Sequence, residues 1–420
     1  MATASIENRR SWTVALAAMF CLVFGPSTIL VTGFGVFVGP IAAEGGWSPG
    51  QVALAISFTA FMVMVVTPIQ GLLTDRFGSR RVVLASIPLF VAGLAAMSIA
   101  PRNLTVFYVM WACLPILGIG LWPTAYLKAV GGWFDRHLGF ALGVTNSGFG
   151  IGAMLVPLIA GGLIALYGWR VAFIGLAGLA LLTLPVAYAF VRESPFGRPG
   201  RAPGAGEPAA ANAERHVSPG TPAADLSSPL WRDPLFRKLC IGYALIGFAG
   251  TGFAVNLVSM AIHNGASTRE AVALQAVYGG TALFGRLFAG WLLDRIFAAR
   301  VMSAFVIGAF LACAVFIAGM TGWAAFAGAI CHGLLLGAEF DVLAYVVRRN
   351  YPMARFGRIY GIVFAVFQAG ASVGAAFLAL SAQNTGSYAV GMTGYAIALG
   401  LSLLVFLRLD PYRLPTFAHR

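Results

Sequence analysis

Apolar residues along the chain form blocks of about 20 residues, separated by short polar segments. A helix of that length crosses the ~30 Å hydrocarbon core of a membrane. The pattern predicts twelve membrane-spanning helices, numbered here as spans 1 to 12, at residues 12–38, 51–73, 82–100, 105–127, 138–164, 169–191, 237–262, 270–293, 301–319, 323–346, 358–382 and 388–408. We therefore expect an all-α membrane protein.

One long segment between spans 6 and 7 lacks the apolar pattern. It is rich in proline, glycine and alanine, a composition that is typical of flexible linkers. The sequence therefore predicts a six-helix bundle over residues 1–192, a linker over 193–233 and a second six-helix bundle over 234–420.

The two predicted bundles contain related sequences. GLLTDRFGSRR at residues 71–81 corresponds to GWLLDRIFAAR at 290–300, an offset of 219, and Gly118 and Tyr126 correspond to Gly337 and Tyr345 at the same offset. Two matches at one offset predict two halves with pseudo-symmetry. In transporters built this way the substrate site lies near the membrane midplane between the halves.

The composition supports a membrane environment. Hydrophobic residues make up 59% of the chain and charged residues 10%, whereas soluble domains carry about 25% charged residues. The net charge of +13 does not indicate nucleic-acid binding, because all but four of the 27 basic residues fall on the side of the predicted bundle that holds both chain ends. This bias predicts a multi-pass protein of the plasma or bacterial inner membrane with both termini in the cytoplasm.

The sequence carries no sign of cofactor chemistry. All five cysteines lie within apolar blocks without metal-type spacing, and we interpret them as core residues. The chain has no phosphate-binding G-x-x-x-x-G-K-[ST] loop, which excludes a transporter that drives itself with ATP. No nucleophile and base pair occurs at membrane depth, so an enzyme is not expected, and neither a cofactor nor a metal is predicted.

The repeated loop resembles the loop signature of the major facilitator superfamily, and the resemblance covers essentially the whole chain. The matching residues of the first copy are Gly71, Asp75, Arg76, Gly78, Arg80 and Arg81. The second copy keeps Gly290, Asp294 and Arg295 but has Phe297 in place of the second glycine. The resemblance implies a role for both loops in gating.

Two further segments resemble the oxalate:formate antiporter and monocarboxylate transporter branch of that superfamily. They are GGWFDRHLGFALGVTNSGFGIGAMLVPLI at residues 131–159 and LYGWRVAF at 166–173. The branch uses an arginine in span 8 to hold the substrate anion, and Arg286 occupies that position. Many monocarboxylate transporters carry a lysine in span 1, where this chain has Thr32, and oxalate exchangers add a lysine in span 11, where this chain has Gln368. A single cation favours a monoanion over a dianion such as oxalate.

Three charged residues lie at membrane depth: Arg286, Glu339 and Asp341. A charge there costs at least ~2.5 kcal/mol and normally faces a cavity or a partner. Arg286 and Glu339 are each about 12–14 Å from a boundary residue, near the midplane. The planar fork of arginine donates two parallel hydrogen bonds to a carboxylate, so Arg286 either anchors the substrate or pairs permanently with Glu339 or Asp341.

The two acidic residues should have different roles, because positions two apart on a helix are about 200° apart and cannot share a face. Asp341 shares a face with Tyr345 and Arg348, which indicates a gating or structural pair with Arg348. Glu339 is either the carrier of a coupled proton, since burial favours its protonated form, or a static partner of Arg286.

Other polar and aromatic side chains in the apolar blocks are candidates to line the substrate pocket, with ordinary helix packing as the alternative: Thr32, Trp122, Tyr126, Asn256, Tyr278 and Gln368. The function predicted is secondary transport of small organic anions, mainly monocarboxylates, by alternating access with proton symport or exchange, in a monomer. The alternatives are an efflux antiporter, whose usual span 5 motif is incomplete here, and a membrane sensor that does not transport.

Overall fold

The computed structural model describes Glu7, residues 9–194 and residues 229–414. Most of the predicted linker and both chain ends lie outside these ranges. The described residues form helices joined by turns and short loops, without a strand. The predicted all-α architecture is confirmed.

The first half holds spans 1 to 6, and several of these spans are broken helices. Span 1 consists of helices Arg9–Val23 and Gly35–Gly45, joined by a π turn at Ser27–Thr32. Span 2 consists of Pro49–Ala53 and Ala55–Phe77, and span 3 is Ser79–Met97. Span 4 consists of Leu104–Leu117, the 3-10 turn Ile119–Leu121 and Pro123–Gly131, whereas spans 5 and 6 form the continuous segment Leu138–Phe190.

Proline and glycine account for these breaks. Pro26 has no N–H to continue the helical ladder, and the π turn of span 1 begins directly after it. Trp122 has extended backbone angles, so Pro123 starts a new helix at the position where proline is best tolerated. Spans 5 and 6 meet at Gly168, whose φ of 81° is a conformation that favours glycine.

The second half holds spans 7 to 12 as unbroken helices. They are Pro234–His263, Thr268–Leu293, Ala298–Ile317, Gly322–Asn350, Met353–Thr385 and Ala389–Leu407. Among the described residues, nine helices are long and apolar enough to cross a membrane. The other three of the twelve predicted spans are span 4, which is divided into short pieces, span 8, which holds Arg286, and one of spans 5 and 6, which share a single segment.

Large apolar side chains cover the outside of the bundle as well as its core. Leu158 is 72% exposed and Leu166 is 74% exposed, which is the surface expected of a protein whose solvent is lipid. Three cysteines are buried as predicted, but Cys113 is exposed on this outer surface. The interpretation of Cys113 as a core residue was therefore wrong, because an apolar block alone does not distinguish a lipid-facing position from a core position.

The two halves contact each other where pairs of glycines cross. A Cβ atom on Gly71 of span 2 would lie 2.1 Å from the carbonyl oxygen of Gly357 in span 11. A Cβ atom on Gly139 of span 5 would lie 2.4 Å from the carbonyl oxygen of Gly290 in span 8. Both crossings lie toward the side of the bundle at which spans 1 and 7 begin, called here the terminal side. The halves are in close contact on that side.

Candidate functional site

Arg286 lies where three helices approach each other closely. A Cβ on Gly143 of span 5 would lie 2.5 Å from the Arg286 carbonyl oxygen, and one on Gly337 of span 10 would lie 3.0 Å from the Arg286 backbone nitrogen. The arginine is 5% exposed, and its guanidinium carbon lies 5.3 Å from the centre of the Phe149 ring. Phe149 belongs to the other half, so Arg286 is at the contact between the two halves.

The guanidinium group of Arg286 makes no hydrogen bond or ion pair with any side chain in the described ranges. Glu339 and Asp341 are both buried and near enough for their charges to interact with Arg286. Neither carboxylate oxygen of Glu339 has a hydrogen-bond partner. The permanent pairing of Arg286 with an acidic residue, one of the two alternatives from the sequence, is thus not seen in this conformation.

Asp341 contacts the other half and not Arg348. The side-chain amide of Asn146 in span 5 donates a short hydrogen bond to Asp341 Oδ1, and Oδ2 has no partner. The Nε of Arg348 donates instead to the Gly131 carbonyl at 2.8 Å. The predicted pair of Asp341 with Arg348 is therefore replaced by two separate contacts. Seven residues of helix separate the two side chains by ~10 Å, and each finds a nearer partner across the contact between the halves.

The sequence missed two tyrosines beside the acidic residues. Tyr243 in span 7 is fully buried, and its hydroxyl donates to the Glu339 carbonyl at 2.7 Å. Tyr360 in span 11 is fully buried without a hydrogen-bond partner and lies within range of the charges of Arg286 and Asp341. Nothing in the sequence separates these tyrosines from ordinary packing residues.

Asn146 was also missed, although a usable signal existed. It lies in the stretch TNSG within the apolar block of span 5. An unpaired amide is costly in an apolar environment and needs a polar partner. The same argument applied to Asn146 selects it as a residue in need of a polar partner.

Most of the other predicted pocket residues form hydrogen bonds within their own span or to a neighbouring side chain. The Thr32 hydroxyl donates to the Thr28 carbonyl at 2.7 Å, and the Asn256 amide donates to the Gly252 carbonyl at 2.9 Å. The Trp122 ring N–H donates to the Pro115 carbonyl at 3.4 Å. These contacts fit ordinary helix packing better than a role in ligand binding.

The remaining pocket candidates differ in burial. Tyr278 is buried, and its hydroxyl lies 3.4 Å from His332 Nδ1, while His332 stacks on the Phe253 ring at 3.9 Å. Tyr126 is fully buried with its hydroxyl near Cys21, whereas Gln368 is half-buried. Among the described residues, none of the six predicted pocket residues hydrogen-bonds to Arg286, whereas the Phe149 ring lies 5.3 Å from its guanidinium carbon.

Asp75 connects the first half to the start of span 11. Its carboxylate accepts backbone hydrogen bonds from Gly357 at 2.9 Å and Arg358 at 2.8 Å. It also accepts from Lys128 Nζ at 2.5 Å. Gly357 and Arg358 are the fifth and sixth residues of the helix Met353–Thr385, so Asp75 holds the first half against the beginning of span 11.

Asp294 makes the same connection in the opposite direction. Its carboxylate accepts from the backbone of Gly139 at 2.6 Å and Phe140 at 3.0 Å, at the start of span 5. The two aspartates of the repeated loop thus each bind the beginning of a helix in the other half. Each aspartate also lies next to a glycine crossing, so charge and close packing act at the same two places.

The other residues of the repeated loop have local contacts. Arg80 donates to the Tyr188 carbonyl at 2.8 Å, and Gly78, with a φ of 84°, leaves no room for a Cβ beside Glu193. Arg295 lies over the Trp291 ring at 4.1 Å. Arg76 lies over Phe77 at 5.3 Å, and Arg81 is exposed.

One further ion pair closes the terminal side. Arg349, the neighbour of Arg348, donates to Asp135 Oδ1 at 2.5 Å, and the two residues belong to different halves. The terminal side is therefore held by Asp75, Asp294 and this pair.

Comparison with known proteins agrees with this architecture. The family model of the Major Facilitator Superfamily matches residues 15–262 and 239–419. Among curated relatives, the MFS transporter asaE of Aspergillus flavus is 23% identical over 81% of this chain and 72% of its own length. Monocarboxylate transporter 11 of Mus musculus is 25% identical over 90% of this chain and 82% of its own length.

Solved structures show the same fold. The proton:xylose symporter XylE superimposes with a TM-score of 0.72 at 15% identity and covers 96% of both chains. The family match spans both halves, and monocarboxylate transporters are among the relatives. The chain belongs to the Major Facilitator Superfamily and is a multi-pass membrane transporter similar to the monocarboxylate transporter branch.

Proposed function

We propose that this transporter carries small organic anions, in particular monocarboxylates, and that Arg286 binds the anion. The observation that supports this most strongly is a buried guanidinium group, at the contact between the halves, that has no acidic partner in the described residues. An uncompensated buried charge is costly, and an anionic substrate would supply the missing countercharge. A relative named as a monocarboxylate transporter supports the same substrate class.

The charges around Arg286 also favour coupling to protons. If Glu339 and Asp341 were both ionised, the three residues would carry one net negative charge and repel an anion. Protonation of one acidic residue makes the cluster neutral, and the anion can then bind. Glu339 is the better proton carrier, because its carboxylate oxygens have no hydrogen-bond donor to stabilise the ionised form, whereas Asp341 has one.

The conformation of the halves bears on the direction of access. Contacts at the terminal side close the path from there to Arg286. The distribution of basic residues assigns that side to the cytoplasm. We infer that an anion reaches Arg286 from the cytoplasm only after these contacts separate.

The test is uptake by the purified protein in proteoliposomes. Radiolabelled lactate, pyruvate, benzoate, oxalate and malonate are compared with and without an inward proton gradient. We expect saturable uptake of the monoanions, increased by the gradient, and weaker uptake of the dianions. Uptake of no anion would reject the proposal, and binding without transport would indicate a sensor.

A further inference from the structure

We propose that Asn146 and Asp341 form a switch between the two halves that sets the affinity of Arg286 for the substrate anion. The proposal rests on the proposed function, because it concerns the same anion site. It assigns a role to Asn146, a residue outside the predicted site. When the halves are closed on the terminal side, Asn146 holds Asp341. When they separate there, Asp341 is released to compete with the anion for Arg286.

The hydrogen bond between Asn146 and Asp341 joins the two halves. Asn146 is 2% exposed and belongs to span 5 in the first half, and Asp341 is fully buried and belongs to span 10 in the second half. The bond is charge-assisted when Asp341 is ionised, and such bonds are roughly twice as strong as neutral ones. Loss of Asn146 would leave a buried carboxylate with two unpaired oxygens, which is a costly state.

Alternating access changes the distances between residues of different halves more than those within one half. In this fold the halves rock against each other largely as rigid bodies around the substrate site. Asp341 and Arg286 belong to the same half and stay near each other, whereas Asn146 moves away with the other half. Arg286 packs against Gly337, one turn before Asp341 on span 10, and its charge reaches Asp341, so its guanidinium is a cation available to replace the lost donor.

Glu339 cannot act as the same switch. It lies on span 10, in the same half as Arg286, and its oxygens have no hydrogen-bond partner in the closed conformation. Its neighbour Tyr243 also belongs to that half and donates to the Glu339 backbone, not to the carboxylate. Rocking of the halves therefore removes the hydrogen-bond partner of Asp341, whereas the Glu339 carboxylate has no partner in the other half to lose.

The switch predicts tight anion binding in the present conformation and weak binding when the terminal side is open. An anion bound at Arg286 from the opposite side would be displaced by Asp341 as the terminal side opens. The transporter would then release its substrate preferentially on the terminal side.

The test is a double-mutant cycle on the purified full-length chain, with pyruvate as the probe and its dissociation constant measured by calorimetry. We expect Asn146→Leu to weaken pyruvate binding at least tenfold, because Asp341 then pairs with Arg286. Asp341→Asn removes the competing carboxylate and should bind pyruvate more tightly than the wild type. The double variant should behave like Asp341→Asn, because the competitor is gone.

The matched control is Thr145→Val, the neighbouring position in the same helix. Thr145 is buried, and its hydroxyl donates within its own helix to the Ala141 carbonyl at 2.8 Å. This variant should bind pyruvate within twofold of the wild type. Equal weakening in Asn146→Leu and the double variant would overturn the switch, since Asn146 would then act only through packing. Weaker binding by Asp341→Asn would also overturn it and does not depend on whether Asn146→Leu folds.

A second readout separates the switch from the proposed function. Nitroxide labels at the exposed positions Arg136 and Ala354, one in each half near the terminal side, report the separation of the halves without any anion. Asn146→Leu should populate longer distances than the wild type. If the wild type binds none of the anions but this distance still increases, the anion function fails and the contact between the halves stands. If the wild type binds pyruvate and Asn146→Leu changes neither binding nor distance, the switch alone fails.

Discussion

Three charged side chains at Arg286, Glu339 and Asp341 set the centre of this molecule apart from the apolar residues around it. All three are buried, and among the described residues neither the guanidinium nor the Glu339 carboxylate has a hydrogen-bond or ion-pair partner. The charged residues were identifiable from the sequence, because each interrupts an apolar block. Their partners were not, because the choice of Asn146 over Arg348 depends on how helices from the two halves are rotated against each other.

A substitution at Glu339 tests proton coupling at the residue scale. We expect Glu339→Gln to abolish uphill accumulation of pyruvate driven by a proton gradient, while exchange of pyruvate across the membrane remains measurable. The amide mimics the protonated acid, so the loaded carrier can reorient but no proton is returned. Both activities are measured on one proteoliposome preparation.

The alternative role of Glu339 gives a different result on the same variant. If Glu339 mainly compensates Arg286, its neutralisation leaves a buried charge unpaired, at a cost of about 3–5 kcal/mol. Exchange and melting temperature would then decrease together. Accumulation at the wild-type level would exclude Glu339 as the coupling residue.

At the scale of helices, the repeated loop acts through a glycine crossing and an aspartate in each half. An offset of 219 residues predicted both copies, and their involvement in gating followed from the resemblance to the superfamily loop signature. The sequence did not identify Gly357 and Gly139 as the facing glycines, because neither lies in the repeated loop. Only the packing of span 2 on span 11, and of span 5 on span 8, brings them together.

Gly290→Ala tests the glycine crossing. The new Cβ would lie 2.5 Å from the Gly139 carbonyl oxygen, and overpacking of this kind costs about 1–3 kcal/mol. Because opening the terminal side relieves the clash, we expect longer distances between nitroxides at Arg136 and Ala354. Gly280→Ala is the control, since a Cβ there has no atom within 4 Å. Equal distances in the two variants would show that the crossing does not control opening.

Asp294 makes the equilibrium between the closed and the open terminal side depend on pH. It lies just beyond the end of span 8, and burial raises its pKa to about 6 although the backbone of Phe140 and Gly139 and the charges of His137 and Arg349 lower it. When the terminal side opens, solvent returns the pKa toward about 3.9. The closed state therefore binds a proton between pH ~4 and ~6 that the open state does not.

Acidification therefore favours the closed state. Lowering the pH from 7 to 5 should increase the closed fraction, as measured by the same nitroxide distances. Asp294→Asn removes the titrating group and should flatten this part of the pH profile. A profile that is unchanged by Asp294→Asn, or an opening of the terminal side on acidification, would contradict the assignment.

At the scale of the whole molecule, the twelve apolar blocks and the internal repeat were sufficient to predict the fold. The breaks in spans 1 and 4 were not predicted, although Pro26 and Pro123 mark them, because the blocks remain apolar across each break. The sequence also did not predict that the halves are closed on the terminal side. Which of two conformations a transporter adopts depends on small differences between contacts, and both conformations use the same apolar pattern.

The central claim is that a molecule with this architecture binds a small organic anion at Arg286. The most direct measurement is the concentration dependence of pyruvate counterflow in proteoliposomes for the wild type and Arg286→Lys. Lysine keeps the charge but loses the planar fork that binds both carboxylate oxygens, so we expect the half-saturating pyruvate concentration to rise at least tenfold with the protein still folded. An unchanged half-saturating concentration in Arg286→Lys would contradict the account.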